Sequence, residues 1–332
     1  MAITLAEAKV GMADKVDQQI IDTFRRSSML LDMLTFDNSI SPGTGGSTLA
    51  YGYIQLKTPS TAAVRALNTE YTAGEAKREE KTAKAVIMGG SFEVDRVLQN
   101  TSGAVDELAF QAQQKIKATA NYFHNLVVNG TSAASGAGYV VNTFDGLRKA
   151  LTGTSNDFTT DIDLSDSTKM DSSANAFVDQ LDQLTHMVDG GASLLLMNTA
   201  MLLKVRAAAR RAGYYDRKKD DFGRAVEYFG DIPIMDAGMY YNGTKSVDVI
   251  DTSTPSTSAA GTSSIYAVNI ALDGFHGISP TGTGVINSYM PDLKAPGAVK
   301  KGEVELVAGV VLKNTLKAAA LNGIALKAKT SV

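Results

Sequence analysis

The sequence predicts an α+β chain, and three stretches predict it. Residues 101–129 place Leu108, Ala112, Ile116, Ala120, Phe123 and Val127 at gaps of four and three, one apolar stripe along a helix. Residues 48–88 read as a strand, a long charged excursion and a returning strand. Residues 174–212 run helix, strand, helix and lead into further short strands, the start of an α/β unit. At 332 residues the chain is long enough for two or more domains with real cores.

Residues 3–34 are helical in pieces, broken near Gly11. Val16, Ile20, Phe24, Leu30, Leu31 and Leu34 form a stripe that needs a partner surface, in the same chain or a neighbour. Ser41-Pro-Gly-Thr-Gly-Gly46 is a loop signal. The strand at 48–57 puts Leu49, Tyr51, Tyr53 and Gln55 on one face, and Thr58-Pro59-Ser60 ends it. Residues 61–84 are polar and charged, and 85–88 read as the returning strand, closed by Gly89-Gly90. Phe92, Val94 and Val97 lead on into the helix. A two-stranded ribbon of this kind is marginal in water, so it is expected to lie on something else, such as another subunit.

The long helix has N-cap oxygens at Asn100, Thr101 and Ser102, acids at Asp106 and Glu107 in its first turn, and Gly130 where a left-handed C-cap would fall. About 25 residues make roughly 37 Å of helix. It lacks heptads with flanking charges, so it reads as a spine for other elements and not as a coiled coil. After it come a small-residue loop at 131–138, a short amphipathic turn at 144–151, and a Ser/Thr/Asp-rich boundary at 152–173. A helix at 174–188 carries Phe177, Leu181, Leu184 and Val188; 193–197 is a buried strand and 199–212 another helix. Strands are expected at 226–235, 247–250 and 264–270, with a low-complexity loop at 252–263. Two adjacent apolar-rich segments, 303–312 and 315–326, close the fold.

Net charge is −3, so the chain as a whole is not an electrostatic nucleic-acid binder. It has no Cys, hence no disulfide framework and no thiol chemistry. No basic-then-apolar leader opens it, and no apolar run reaches the ~18 residues of a membrane span. The three histidines, His124, His186 and His276, are far apart and fit no metal-ligand spacing. Asp161-x-Asp163-x-Ser165 starts like a calcium loop, but Asp166 stands where Gly is needed and Ser172 where Glu is needed. Asp221-Phe-Gly223 lacks the other kinase motifs, and Gly136-Ala-Gly138 and Gly282-Thr-Gly284 lack the context of a dinucleotide fingerprint. Three sequons, at Asn100, Asn129 and Asn242, carry no meaning without secretion. The basic stretch Lys204, Arg206, Arg210, Arg211, Arg217, Lys218 and Lys219, with Tyr214 and Tyr215, is interrupted by Asp216, Asp220 and Asp221, so it reads as an interface or solvated face before a phosphate contact. No nucleophile, base and orienting group assemble. The expectation is no catalytic residue, no metal and no cofactor.

Four segments in order carry a family resemblance. They are the ribbon ending in Gly89-Gly-Ser-Phe-Glu-Val-Asp-Arg96 before the long helix; Leu195-Leu-Met-Asn198 with Met201-Leu-Leu-Lys-Val-Arg206 and Gly213-Tyr-Tyr215; Phe229-Gly-Asp-Ile-Pro-Ile234; and Val304-Glu-Leu-Val-Ala-Gly-Val-Val-Leu312 with Leu316-Lys-Ala-Ala-Ala-Leu-Asn-Gly-Ile324. Together they span nearly the whole chain, and the sequence resembles the major capsid protein of tailed bacteriophages, the Hong Kong 97-type fold.

The resemblance implies an N-terminal arm (1–45), an extension loop (46–92), a peripheral domain (93–150 and 285–332) holding the spine helix at 101–129, and an axial domain (151–284). It implies a structural protein and not an enzyme, assembling as hexamers and pentamers into an icosahedral shell around packaged double-stranded DNA. It further implies a portal protein as partner, with scaffolding or decoration proteins as optional ones, no sequence-specific DNA binding, no membrane, and assembly in the host bacterial cytoplasm into a virion capsid. The mild negative charge suits a shell that does not grip DNA tightly. Because the apolar arm starts within the first residues, guidance by a separate scaffolding protein or by none is expected. The alternatives are an encapsulin-type bacterial nanocompartment, which shares this fold but encloses protein, and an α/β enzyme.

Overall fold

The computed structural model describes residues 29–38, 40, 49–58, 60–101, 107–212, 217–219, 225–280 and 286–330. Helix α1 (Met29–Met33) is followed by strand β1 (Phe36–Asp37). Leu30 and Leu34 enter a core that also holds Phe123 and Phe275, so this end of the arm stripe finds its partner within the chain. Val16, Ile20, Phe24 and the loop at 41–46 lie outside the described residues.

Strands β2 (Ala50–Thr58) and β3 (Lys77–Lys84) form an antiparallel two-stranded ribbon. Tyr51, Tyr53 and Gln55 turn inward while Gly52, Ile54 and Leu56 are exposed, the expected alternation, but Leu49, expected on the same face, precedes the strand and is exposed. The returning strand is 77–84 and not 85–88. Its sequence, KREEKTAK, has no apolar alternation because both of its faces are largely solvated, and cross-strand partners such as Lys57 and Glu79 at 3.2 Å support it instead. Residues 85–88 lead into β4 (Val86–Asp95), which runs through Gly89-Gly90 and belongs to a different sheet.

Helix α2 (Arg96–Thr101) precedes the spine, α3 (Glu107–Asn129). The expected start at 101 is corrected: Thr101 ends α2, residues 102–106 lie outside the described residues, and the described spine opens at Glu107. A group the sequence did not single out caps it, the Leu108 N–H donating to Gln99 Oε1 at 3.0 Å. At the other end Gly130 is not left-handed. It is a close-approach glycine: a Cβ there would lie 2.6 Å from the carbonyl oxygens of both Leu126 and Phe144.

Beyond the spine come α4 (Leu147–Leu151), β5 (Asp157–Thr159) and α5 (Ser167–His186). Helix α5 starts seven residues before the expected 174, because Asp166 caps it by accepting the Lys169 N–H at 2.9 Å. The same lysine's Nζ holds Asp163 at 2.6 Å, so the false calcium loop is a helix start. Strand β6 (Leu194–Met197) and α6 (Thr199–Ala212) follow as expected. The remaining strands are β7 (Arg217–Lys219), β8 (Ala225–Phe229), β9 (Ile232–Asp236), β10 (Met239–Tyr241), β11 (Ser246–Asp248), β12 (Gly261–Val268), β13 (Phe275–Ile278), β14 (Ile286–Tyr289), β15 (Val299–Leu312) and β16 (Ala318–Lys327).

Two sheets organise the chain. In the first, β15 is the long central strand: its first ten residues pair with β4, Glu303–Leu306 pair with β14 on the opposite edge, and Gly309–Leu312 pair with β13, which in turn holds β1. Phe92, Val94 and Val304 of this sheet pack on Leu108, Ala112 and Ile116 of the spine. The second sheet runs β5-β16-β12-β6-β9-β8-β7. Its β6, Leu-Leu-Leu-Met, is buried on both faces, as a wholly apolar strand should be. Leu195 and Met197 face α5 and α6 through Phe177, Leu181, Met201 and Val205, while Leu194 and Leu196 face the far end of the spine through Phe123, Leu126 and Val127.

Residues 315–326, expected beside 303–312 in one unit, therefore lie in the other sheet. Asn314 accepts the Leu316 N–H at 3.0 Å, breaking the strand into a turn of 3₁₀ helix at Thr315–Lys317, and the chain re-enters as β16 beside β12. Conversely β13, expected within 151–284, pairs with β15.

Two measurements test this core. Ile116→Pro removes a helix hydrogen bond in mid-spine and clashes with the preceding turn, costing about 3 kcal/mol or more; thermal melting reports it, and an unchanged melting temperature contradicts a continuous helix there. Burial lowers the pKa of His124 on the spine from 6.5 to about 4, and burial followed by the Lys313 charge lowers that of His276 on β13. The unfolded chain thus binds more protons than the fold between 6.5 and these lower values, so stability is full above that window and falls as pH drops through it. For His124 alone, acidification to about pH 5 costs on the order of 2 kcal/mol. The melting temperature of His124→Leu falls less steeply with pH than wild type; parallel curves contradict the assignment.

Candidate assembly surfaces

The ribbon β2–β3 is fixed at its root and free at its tip. At the root Tyr51 is buried with Ile40, Ala85, Ile278 and Val311. Its hydroxyl donates to Asp37 Oδ2 at 3.1 Å, the Lys313 ammonium lies 5.2 Å from its ring centre, and the ring of His276 meets it edge-on at 5.9 Å. One further bond ties the root to the body, Gln55 Nε2 to Lys313 O at 3.0 Å, and Ala85 N–H to Leu49 O at 2.8 Å closes the base of the ribbon itself. β1, β13 and the end of β15 thus all grip the first half of β2.

Beyond Gln55 the ribbon leaves the body. Three further residues of β2, Leu56–Thr58, carry it roughly 10 Å, and residues 60–76 at its tip are all exposed. The tip has its own local structure: Arg65 lies 5.4 Å over the Tyr71 ring and donates to Thr69 O at 3.1 Å, and Thr69 Oγ1 donates to Ala66 O at 2.8 Å. The apolar side chains of the tip and of the outward face of β2 have no cover. Leu67 is 89% exposed and Ile54 66%, with Val64, Leu56 and Tyr71 also exposed. An extended ribbon with uncovered apolar groups is a liability in a monomer and a contact element in an assembly.

A second surface is the face of the first sheet opposite the spine. β4 and β15 present Ile87, Val299 and the ion pair of Lys301 with Glu303 at 2.8 Å to solvent, and Tyr289, Met290 and Leu293 lie exposed at and beyond edge strand β14.

The candidate chemical groups are dispersed or engaged. His124 is on the spine, His186 ends α5 and His276 lies under the ribbon root; no group of three His, Asp or Glu side chains among the described residues is placed to hold a metal. In the basic stretch, Arg206 Nε pairs with Glu227 Oε2 at 2.6 Å, Arg211 with Asp171, and Lys204 donates to Leu164 O, so these cations stitch α6 to its own sheet and to α5. The side chains of Arg217, Lys218 and Lys219, together with Gly213–Tyr215, Asp216, Asp220, the Asp221-Phe-Gly223 triplet and Gly282-Thr-Gly284, lie outside the described residues. A cavity of about 520 Å³ lies between the end of the spine and the second sheet. Several of its polar groups engage one another: Arg148 stacks 4.8 Å over Tyr139 and donates to Gly138 O, and Asn322 donates to Asp157 at 2.7 Å. Burial pushes its Tyr266 phenol up to about 12, which leaves that group neutral. No helix among the described residues is long and apolar enough to cross a membrane.

No family model and no curated protein matches the sequence. Solved structures do match, over nearly the whole length. The chain superposes with the holo-SrpI encapsulin complex from Synechococcus elongatus PCC 7942 at a TM-score of 0.65, with 12% identity over 99% of each chain. It matches Mycobacterium phage Adephagia at 0.56, with 13% identity over 99% of each chain. The capsid of Myoviridae phage XM1 gives 0.56, with 14% identity over 97% of this chain and 99% of that one. At such identities the likeness is one of fold. Built on one long spine helix, a root-anchored ribbon and two sheets, this chain has the Hong Kong 97-type fold.

Proposed function

We propose that the chain is the major capsid protein of a tailed bacteriophage, a structural protein and not an enzyme. It assembles as hexamers and pentamers into an icosahedral shell around double-stranded DNA. The observation that carries this reading is the ribbon, gripped by three strands at its root and bare from Leu56 to the tip. Such a ribbon buries its apolar groups on a neighbour, and a contact that passes from each subunit to the next closes rings. Many weak contacts of this kind in a closed lattice reinforce one another through effective concentration. The spine with the first sheet is the peripheral unit, the second sheet with α5 and α6 the axial unit, and residues 46–92 contain the extension loop. The engaged cations of α6 fit a wall that encloses DNA without reading it. A portal protein, with scaffolding or decoration proteins as optional additions, completes the particle, which assembles in the bacterial cytoplasm. The full-length likeness to an encapsulin complex supports a second reading, a nanocompartment shell. Particle contents separate the two, nuclease-protected double-stranded DNA against packaged protein.

Replacing residues 60–76 by a short Gly-Ser turn tests the role of the ribbon. None of them contributes to the core, so the monomer keeps its fold and its melting temperature, while sedimentation shows that closed shells are lost or badly weakened. Shells forming as readily as wild type contradict an inter-subunit role for the ribbon.

A further inference from the structure

The chain contains three Asn-Gly pairs, Asn129-Gly130, Asn242-Gly243 and Asn322-Gly323. In this dipeptide the following backbone nitrogen can attack the side-chain amide unhindered, because glycine has no Cβ. The fold places the three pairs very differently. Asn129 ends the spine, its Nδ2 donating to Asn125 Oδ1 at 2.9 Å and to Val249 O at 2.7 Å, and the Gly130 N–H is spent on Leu126 O. Asn322 sits inside β16 with its Nδ2 on Asp157 Oδ1. Both side chains are clamped by the amide nitrogen that would have to leave.

Asn242 is the reverse. It lies in the exposed turn of the β10–β11 hairpin, and its Oδ1 accepts two backbone N–H groups, from Thr244 and from Lys245, each at 3.0 Å. Gly243 has φ +94°, and nothing lies within 4 Å of where a Cβ would be. Its N–H and the Asn242 Nδ2 have no hydrogen-bond partner among the described residues. The oxygen on which negative charge develops is held by two fixed donors, the arrangement that stabilises an oxyanion, while the nucleophile and the leaving group are free.

We propose that Asn242 is a site of spontaneous deamidation built into the fold, and that Asn129 and Asn322 are protected. Solvent base takes the Gly243 N–H proton. The nitrogen then bonds to Asn242 Cγ as the C=O electrons move onto Oδ1. Collapse of this intermediate breaks Cγ–Nδ2, and the amide leaves as ammonia after taking a proton from water. The product is a five-membered succinimide. Water opens it at Cγ to give aspartate, or at the main-chain carbonyl to give isoaspartate. One water enters and one ammonia leaves, with no oxidation. The turn gains a negative charge, and in the isoaspartyl form an extra backbone carbon, on a hairpin whose Tyr240 packs against the main core.

The experiment is peptide mapping with isoaspartate quantification, after incubating folded and urea-denatured full-length protein in mildly alkaline buffer. In the folded protein Asn242 reacts at least about tenfold faster than Asn129 or Asn322, and faster than it does in the denatured chain, where the three pairs converge. Gly243→Ala slows Asn242 and leaves the other two unchanged. Equal rates at the three sites in the folded protein, or a folded Asn242 slower than the denatured one, overturn the proposal.

Discussion

Everything else in this chain depends on one helix being buried by two different sheets. The first half of the spine sets Leu108, Ala112 and Ile116 against β4 and β15, while its second half sets Phe123, Leu126 and Val127 into a core shared with β6, β12 and β16. A helix of 23 residues spans roughly 35 Å, long enough to serve both. The close approach at Gly130 lets the chain turn directly under Phe144 at the spine's end, so α4 seals the same core.

That rigid body gives the ribbon a fixed base. Tyr51 is held through ring and hydroxyl together, by packing on Ile278 and Val311 and by the bond to Asp37. Past Gln55 the tethers end, and the remaining strand length is stabilised only by its ladder and by surface pairs such as Lys57 with Glu79, which contribute little in water. The tightly packed root and the uncovered tip are the two features on which the proposed contact with a neighbour rests.

The elements legible in the sequence were those whose side chains meet a single, well-defined neighbour. The stripe of the spine, the boundaries of α6 and the doubly buried Leu194–Met197 all follow from apolar spacing. What was missed has a physical cause in each case. β3 is solvated on both faces, so no hydrophobic period marks it. The Ala-rich β16 declares that it is buried but not in which sheet, because partner choice between apolar strands depends on the turn at Asn314. The cap at the start of the spine comes from Gln99 in the preceding helix, a contact that no local pattern encodes. As for the assembly surfaces, the sequence marked the ribbon as something that should lie on another subunit. Which half is anchored became visible only once Asp37, His276 and Lys313 were brought from distant positions to surround Tyr51.

The central claim is that this fold completes itself only in a shell, and negative-stain microscopy of the purified full-length chain tests it most directly. The account predicts closed, angular particles of uniform size. A protein that stays a dispersed monomer at high concentration, with its ribbon exposed and stable, would contradict it.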